Sequence, residues 1–399
     1  MQNIDSIRPD MPSRIRVVQI IKNFSIESGG GGIERFGIAL AQALDPIRFQ
    51  VSVCGLWNTG TSFEHERIRQ VAVSGVGAFT SAAWNETHPY QAFQQAVFGL
   101  RAWMAQNPAD IFHCHSEFAD LAVLPFGLKR NPIILRTVHN REWSKRPLRR
   151  MLLTNFLYPL LFRNEIGVSM GIVETLNRRS LARILRKQAL CIHNAVDLER
   201  FTNVKIDTNA KRAELGLPVD VPVIGTVGRL TRQKGYSFLL DAAVRVLVEM
   251  PEARFVIVGD GEDSPALRSQ ASRLGIADRV LFTGPRPDVE ELLAAFTLFV
   301  SSSMWEGLPT VIMESMAAGI PVVATDIPGT RELAVDDAIG WLAPPGNEQA
   351  LGTAIQTALQ NPARREACTA NARRVVQSFS IQAVAVEYAA LYMALAGKR

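Results

Sequence analysis

The stretch 301-SSSMWEGLPTVIMESMAAGIPVVATD-326 decides the fold, because it reads as one strand–loop–helix–strand unit with two carboxylates inside it. The β-branched run 297-TLFVSS-302 ends in the loop 303-SMWEGLP-309. Pro309 suits a first helical position, 310-TVIMESMAAG-319 reads as a short buried helix stopped by Gly319, and 321-PVVAT-325 is the next strand. Glu306 then lies in the loop at the helix mouth, and Glu314 more than a turn inside. A carboxylate in so apolar a helix is costly without a partner, so Glu314 asks for hydroxyl donors or a cation. A glycosidase pair would face each other across a sugar, roughly 5–9.5 Å apart. Loop-then-helix placement suits a ligand clamp better.

The same alternation runs outward in both directions. Strands are predicted at 15–20, 50–54, 110–115, 133–139, 165–169 and 189–193, then at 222–228, 254–259, 279–284, 297–302 and 321–325. Amphipathic helices such as 33-IERFGIALAQAL-44 and 235-GYSFLLDAAVRVLVEM-250 separate nearly all of them. This pattern predicts an α/β chain with parallel sheets covered on both faces. The polar stretch 197-DLERFTNVKIDTNAKRAELGLPVD-220 interrupts it and reads as a linker. With 399 residues, 47% hydrophobic, two doubly wound domains are expected over 1–200 and 221–378, joined by 201–220 and followed by a helical tail over 379–399.

Bulk composition narrows the classes. The four cysteines are scattered without a C-x-x-C pair, which fits a reducing cytoplasm. No signal peptide is evident, and no run reaches the roughly 18 apolar residues that span a bilayer. Residues 1–200 hold 24 Lys and Arg against 16 Asp and Glu, and residues 131–190 alone hold 12 against 3. Such a region is either a solvated basic face or a dock for an anionic partner. Nucleic acid is the weakest choice of partner, since aromatic residues are not interleaved there.

In parallel sheets, ligands bind beyond the carboxyl ends of strands. The loop after the first strand carries Gly29–Gly32 directly before a helix, either a flexible turn or a close approach of backbone amides to an anion. The loop 228-GRLTRQKG-235 sets Arg229 and Lys234 at a strand edge, where two cations suit a diphosphate or are ordinary loop charges. His139 closes a strand facing the same crevice and is either structural or a hydroxyl and proton partner. His113 and His115 share one strand face but lack a third ligand, and no D-x-D occurs, so no metal is expected.

Taken in order, these segments resemble the retaining GT-B glycosyltransferases of family four, also called glycosyl transferase group 1. The resemblance is carried by 225-GTVGRLTRQKG-235, 256-VIVGDGED-263, 280-VLFTG-284, 301–333 and 340-GWLAPPGN-347. In the first half 30-GGGIER-35, 137-TVHN-140 and 192-IHNAVDLERF-201 fit too. It implies two Rossmann-like domains facing a central cleft, with a last helix over 380–396 crossing back to the first domain. No cofactor is implied; the donor is a nucleoside-diphosphate sugar and the acceptor a saccharide or lipid-linked hydroxyl. Arg229 and Lys234 would hold the diphosphate, with Gly31 and Gly32 offering amides from the other domain. Glu306 would grip the transferred sugar, helped by Gly307, Leu308, Pro309 and Thr310, and Glu314 the ribose. His139 would contact the sugar, Arg286 would lie near the base, and Glu34 would face the acceptor. Electrostatic stabilisation of the departing diphosphate, not a glutamate acid–base pair, would do most of the chemistry.

One segment departs from the family's P-N-G-V-D: here 193-HNAVD-197 has His193 for proline and Ala195 for glycine. Another, 141–164, matches loosely and joins Lys145, Arg146, Arg149 and Arg150 to an apolar helix. That combination reads either as a buried helix with a solvated basic end or as an anionic-membrane dock, so the expected location is cytoplasmic, with the inner membrane face as the peripheral site. A GT-B sugar-nucleotide epimerase and a non-catalytic sugar-nucleotide-binding subunit are the alternatives from other classes.

Overall fold

The structure is a computed structural model and describes residues 14–25, 31–126, 132–140, 151–202, 204 and 206–397. The four basic residues at 145–150 lie outside them.

Two separate parallel sheets form. The first contains β1 (Ile15–Ile21), β2 (Phe49–Asn58), β3 (Gly77–Ala83), β4 (Ile111–Cys114), β5 (Ile133–Val138), β6 (Asn164–Gly167) and β7 (Leu190–Cys191), in the order β3-β2-β1-β4-β5-β6-β7. The second contains β8 (Val223–Val227), β9 (Arg254–Val258), β10 (Val280–Gly284), β11 (Leu298–Ser301), β12 (Val322–Thr325) and β13 (Trp341–Ala343), in the order β10-β9-β8-β11-β12-β13. Each order reverses once, between β1 and β4 and between β8 and β11. Ligands of doubly wound sheets sit at that reversal. The topology therefore selects the loops after β1, β4, β8 and β11 as the functional ones.

Two strands were not expected from the sequence, β3 and β13. Both are sheet edges: β3 is built from GAFTSAA with its side chains mostly half-exposed, and β13 has three residues. Edge strands bury one face poorly, so their apolar periodicity is weak.

Apolar clusters cover both faces of each sheet. The stretch expected as a polar linker joins one of them, because Leu198 and Phe201 pack with Val223, Phe296 and Ile312 of the second sheet's core. The last helix, Ile381–Ala396, packs Ile381, Val384, Tyr388 and Tyr392 against Val17 and Ile21 of β1 and Phe36 and Leu40 of the first helix, Gly32–Ala43. It thus crosses back onto the first domain, as the resemblance implied. The outgoing and returning segments are tied where they pass: Val196 N donates to Phe379 O and Ile381 N donates to Val196 O, each at 2.9 Å.

Candidate active site

Two helix N-termini meet across the domains. The first helix begins at Gly32 behind Gly31, whose left-handed backbone (φ 76°) glycine adopts without the steric cost of a β-carbon. Opposite it, the helix Thr310–Ala318 ends at Gly319 as expected. Its start is one residue later than the sequence suggested, since Pro309 has an extended ψ of 104° and serves as the N-cap, with Thr310 the first helical residue. A β-carbon placed on Gly32 would lie 3.6 Å from Thr310 Oγ1. Neither N-cap residue turns a side chain onto its helix amides, which leaves N–H groups for an anion.

Beside these ends, Lys234 Nζ lies 2.5 Å from Glu306 Oε1. Ser303 Oγ donates to the same oxygen at 3.1 Å, and Gln233 Nε2 donates to Glu306 Oε2 at 3.1 Å and to Trp305 O at 3.0 Å. The two loops are laced by backbone as well, Met304 N donating to Gln233 O at 2.7 Å. The sequence reading assigned Lys234 and Glu306 to different parts of a ligand; the structure joins them. It also missed Gln233, whose only signal was its place between Arg232 and Lys234. Arg229 is exposed past the end of β8 and makes no ion pair among the described residues.

Leu308 and Pro309 are buried under this loop, and Gly307 is one of the points where the domains touch. A β-carbon there would fall 2.0 Å from the carbonyl oxygen of His139. His139 follows β5 and is 8% exposed, with its ring edge-on to Phe36 at 5.1 Å. Its Nε2 is 3.3 Å from His115 Nδ1. His113 and His115 do share a face, with ring centroids 4.1 Å apart, and bind Thr137, Tyr392 and Gln19.

Glu314 opens onto a cavity of about 280 Å³ between the domains, lined by Gly32, Arg35, Arg67, Arg200, Glu290 and Thr310. Burial raises the carboxyl pKa, and the charges of Arg35, Arg200 and Lys234 oppose the rise. The expected need for a cation is met by arginines that no local spacing revealed. Glu34, in the first turn of its helix, is likewise raised by burial, with Lys22 opposing. Arg286 is not brought to the Lys234–Glu306 group. Its guanidinium is committed to Asp288 (2.8 and 2.6 Å) and Glu214 (2.6 Å).

The unusual His193 also bridges the domains. Its Nε2 lies 3.1 Å from Glu332 Oε2, and that carboxylate accepts from the N–H groups of Met170 (3.0 Å) and Gly171 (3.3 Å). The Cys191 sulfur, 3.9 Å away, and the Glu332 carboxylate push the imidazole up to about 10.

Comparison with known proteins agrees with this architecture. The profile described as glycosyl transferases group 1 matches residues 207–375, and that of glycosyltransferase family 4 matches residues 30–200. The putative glycosyltransferase EpsF of Bacillus subtilis is 30% identical over 326 residues, 79% of this chain and 80% of the relative. The phosphatidyl-myo-inositol mannosyltransferase of Mycobacterium tuberculosis is 28% identical over 377 residues, 92% and 94%. Other curated relatives are matched over only 50–60% of their length. Among solved structures, HepE of Anabaena in complex with UDP and glucose superposes with a TM-score of 0.76 at 21% identity, covering 96% of this chain and all of that one. The chain belongs to glycosyltransferase family 4, the glycosyl transferases group 1.

Proposed function

We propose that the protein is a retaining glycosyltransferase that moves a hexosyl unit from a nucleoside-diphosphate sugar to a hydroxyl acceptor in cell-surface polysaccharide or glycolipid synthesis. The observation that carries this reading is the Lys234–Glu306 pair set beside two opposed helix N-termini, Gly32 and Thr310. The helix amides and Lys234, with Arg229 past the end of β8 as the second cation, suit a diphosphate; Glu306 suits the sugar hydroxyls. Glu314, in its arginine-lined cavity, suits the ribose, and Arg286, in the turn after β10, is the residue assigned to the base. Glu34 is the first-domain residue assigned to the acceptor.

On this reading the reaction needs no side chain acting as a strong base. Cations and oriented amides stabilise the leaving diphosphate as its charge grows, and the diphosphate oxygen helps take the acceptor's proton. The new glycosidic bond forms on the face the leaving group departs, so configuration is kept. Metal independence follows from the same assignment, with Lys234 and Arg229 supplying the positive charge.

A thermal-shift series with nucleoside diphosphates and sugar nucleotides tests the reading. Stabilisation by one nucleotide series is expected, following RT ln(1 + [L]/Kd). No response to any of them would refute it. Turnover of the sugar nucleotide without any acceptor would favour the epimerase alternative instead.

A lipid-linked acceptor at an anionic membrane is the second part of the proposal. Leu152, Phe156 and Leu160, spaced four apart on the helical segment after residue 150, are 51%, 48% and 62% exposed. No helix among the described residues is long and apolar enough to cross a membrane. A stripe of this kind beside a basic segment suits an interfacial contact. Flotation with anionic liposomes should carry the protein up, and the triple change to serine at these positions should abolish it; no flotation of the wild type refutes the contact.

A further inference from the structure

His139 ends a buried chain of side chains that begins on the last helix. Tyr392 Oη lies 3.0 Å from Gln19 Nε2 and 2.6 Å from His113 Nδ1. Gln19 Oε1 lies 2.7 Å from His115 Nε2, and His115 Nδ1 lies 3.3 Å from His139 Nε2. On the other side, His113 Nε2 meets Thr137 Oγ1 at 2.6 Å, which in turn meets Tyr388 Oη at 3.1 Å. Burial lowers the pKa of His113 and His115 well below the ordinary value and that of His139 to about 3. All three rings are therefore neutral near pH 7, each with one N–H and one lone pair.

In such a chain every ring passes its choice of proton to the next. Gln19 Oε1 only accepts, so His115 carries its proton on Nε2. His115 Nδ1 is then an acceptor, and His139 must donate to it from Nε2. What remains on His139 is Nδ1 with a bare lone pair. Turning the Gln19 amide over reverses every bond and leaves His139 with an Nδ1–H instead. His139 Nδ1 is buried without a hydrogen-bond partner among the described residues. An orphaned buried N–H is rarer and costlier than an under-used acceptor, which favours the first sense.

We infer that the returning helix, acting through Tyr392, Gln19 and His115, holds His139 as the Nε2–H tautomer, so that Nδ1 accepts a hydrogen bond from a hydroxyl of the bound sugar. A lone pair at that position repels phosphate oxygen and takes only a donor, so it selects hydroxyl over diphosphate. Tyr392, Gln19 and His115 are positioning residues; His139 alone touches the substrate. The hydroxyl contact rests on the glycosyl-transfer reading, whereas the tautomer does not.

Ring nitrogen–proton correlation spectra of the full chain, labelled with ¹⁵N-histidine and free of ligand at pH 7, read the tautomers directly. A His139→Gln variant assigns its signals. Protonated Nε2 and bare Nδ1 are expected for His139; an Nδ1–H form overturns the inference. Gln19→Met removes the acceptor and Tyr392→Phe frees the amide to turn, so each should bring in the second tautomer. Unchanged His139 signals in both folded variants also overturn it; if Gln19→Met does not fold, the wild-type spectrum and Tyr392→Phe decide. Sugar nucleotides added to the wild type should shift the Nδ1 signal. No shift with any of them overturns the hydroxyl contact and leaves the relay standing.

Discussion

Lys234 Nζ lies 2.5 Å from Glu306 Oε1, so the cation expected to hold a diphosphate is paired with the carboxylate expected to hold the sugar. Both side chains are mostly buried, 20% and 9% exposed. Such a pair holds each side chain in place. On the proposed reading a bound diphosphate would give Lys234 a second anion, while Glu306 would keep Ser303 and Gln233 as donors. The carboxylate therefore stays oriented whichever way the lysine turns.

Lys234→Ala should weaken nucleoside-diphosphate binding by about 2–5 kcal/mol, the usual cost of truncating one partner of a buried hydrogen-bonded charge pair. Calorimetric titration with the diphosphate measures it. Unchanged affinity would refute the role given to Lys234.

Glu306→Gln and Glu314→Gln should separate kinetically. An interaction made with the transferred sugar is felt mainly in kcat, and one made with the ribose mainly in the donor KM. Equal effects of both changes on both constants would mean that the two carboxylates do not divide the donor as proposed.

Gly307→Ala places a methyl 2.0 Å from the carbonyl of His139, backbone against backbone. Neither side can yield by a side-chain rotation, so the domains must part. Overpacking of this kind costs about 1–3 kcal/mol. Solution scattering should show a more open molecule, with donor turnover depressed even where the fold survives.

The His193–Glu332 bridge makes stability depend on alkaline pH. The imidazole is raised to about 10 in the fold, by Cys191 and Glu332, against an ordinary value near 6.5. A raised base stabilises fully below the unfolded pKa and loses that contribution as pH climbs through the folded one. The Tm advantage of wild type over His193→Gln should therefore be largest at about pH 6 and shrink steadily towards pH 10. A gap that does not change with pH would sink this assignment.

Much of this was legible in the residues themselves. Gly319 stops its helix, Pro309 sits at its mouth, and Lys234 stands just before the next helix, because glycine, proline and burial act on their immediate neighbours. The strand–helix alternation likewise records local burial, which is why the two-sheet fold could be read, and why the half-exposed β3 and the three-residue β13 escaped notice.

What the sequence determined by itself was the inventory: the order of strands and helices, the two glutamates in an apolar unit, the cations and glycines in their loops. The tertiary structure alone decided how these meet. It pairs Lys234 with Glu306, brings Arg35, Arg67 and Arg200 around Glu314, presses Gly307 onto His139, and runs a chain from Tyr392 to His139. Each of those contacts joins residues far apart in the chain. Spacing along a strand or helix reports which face a residue occupies, and says nothing of which distant face it will meet.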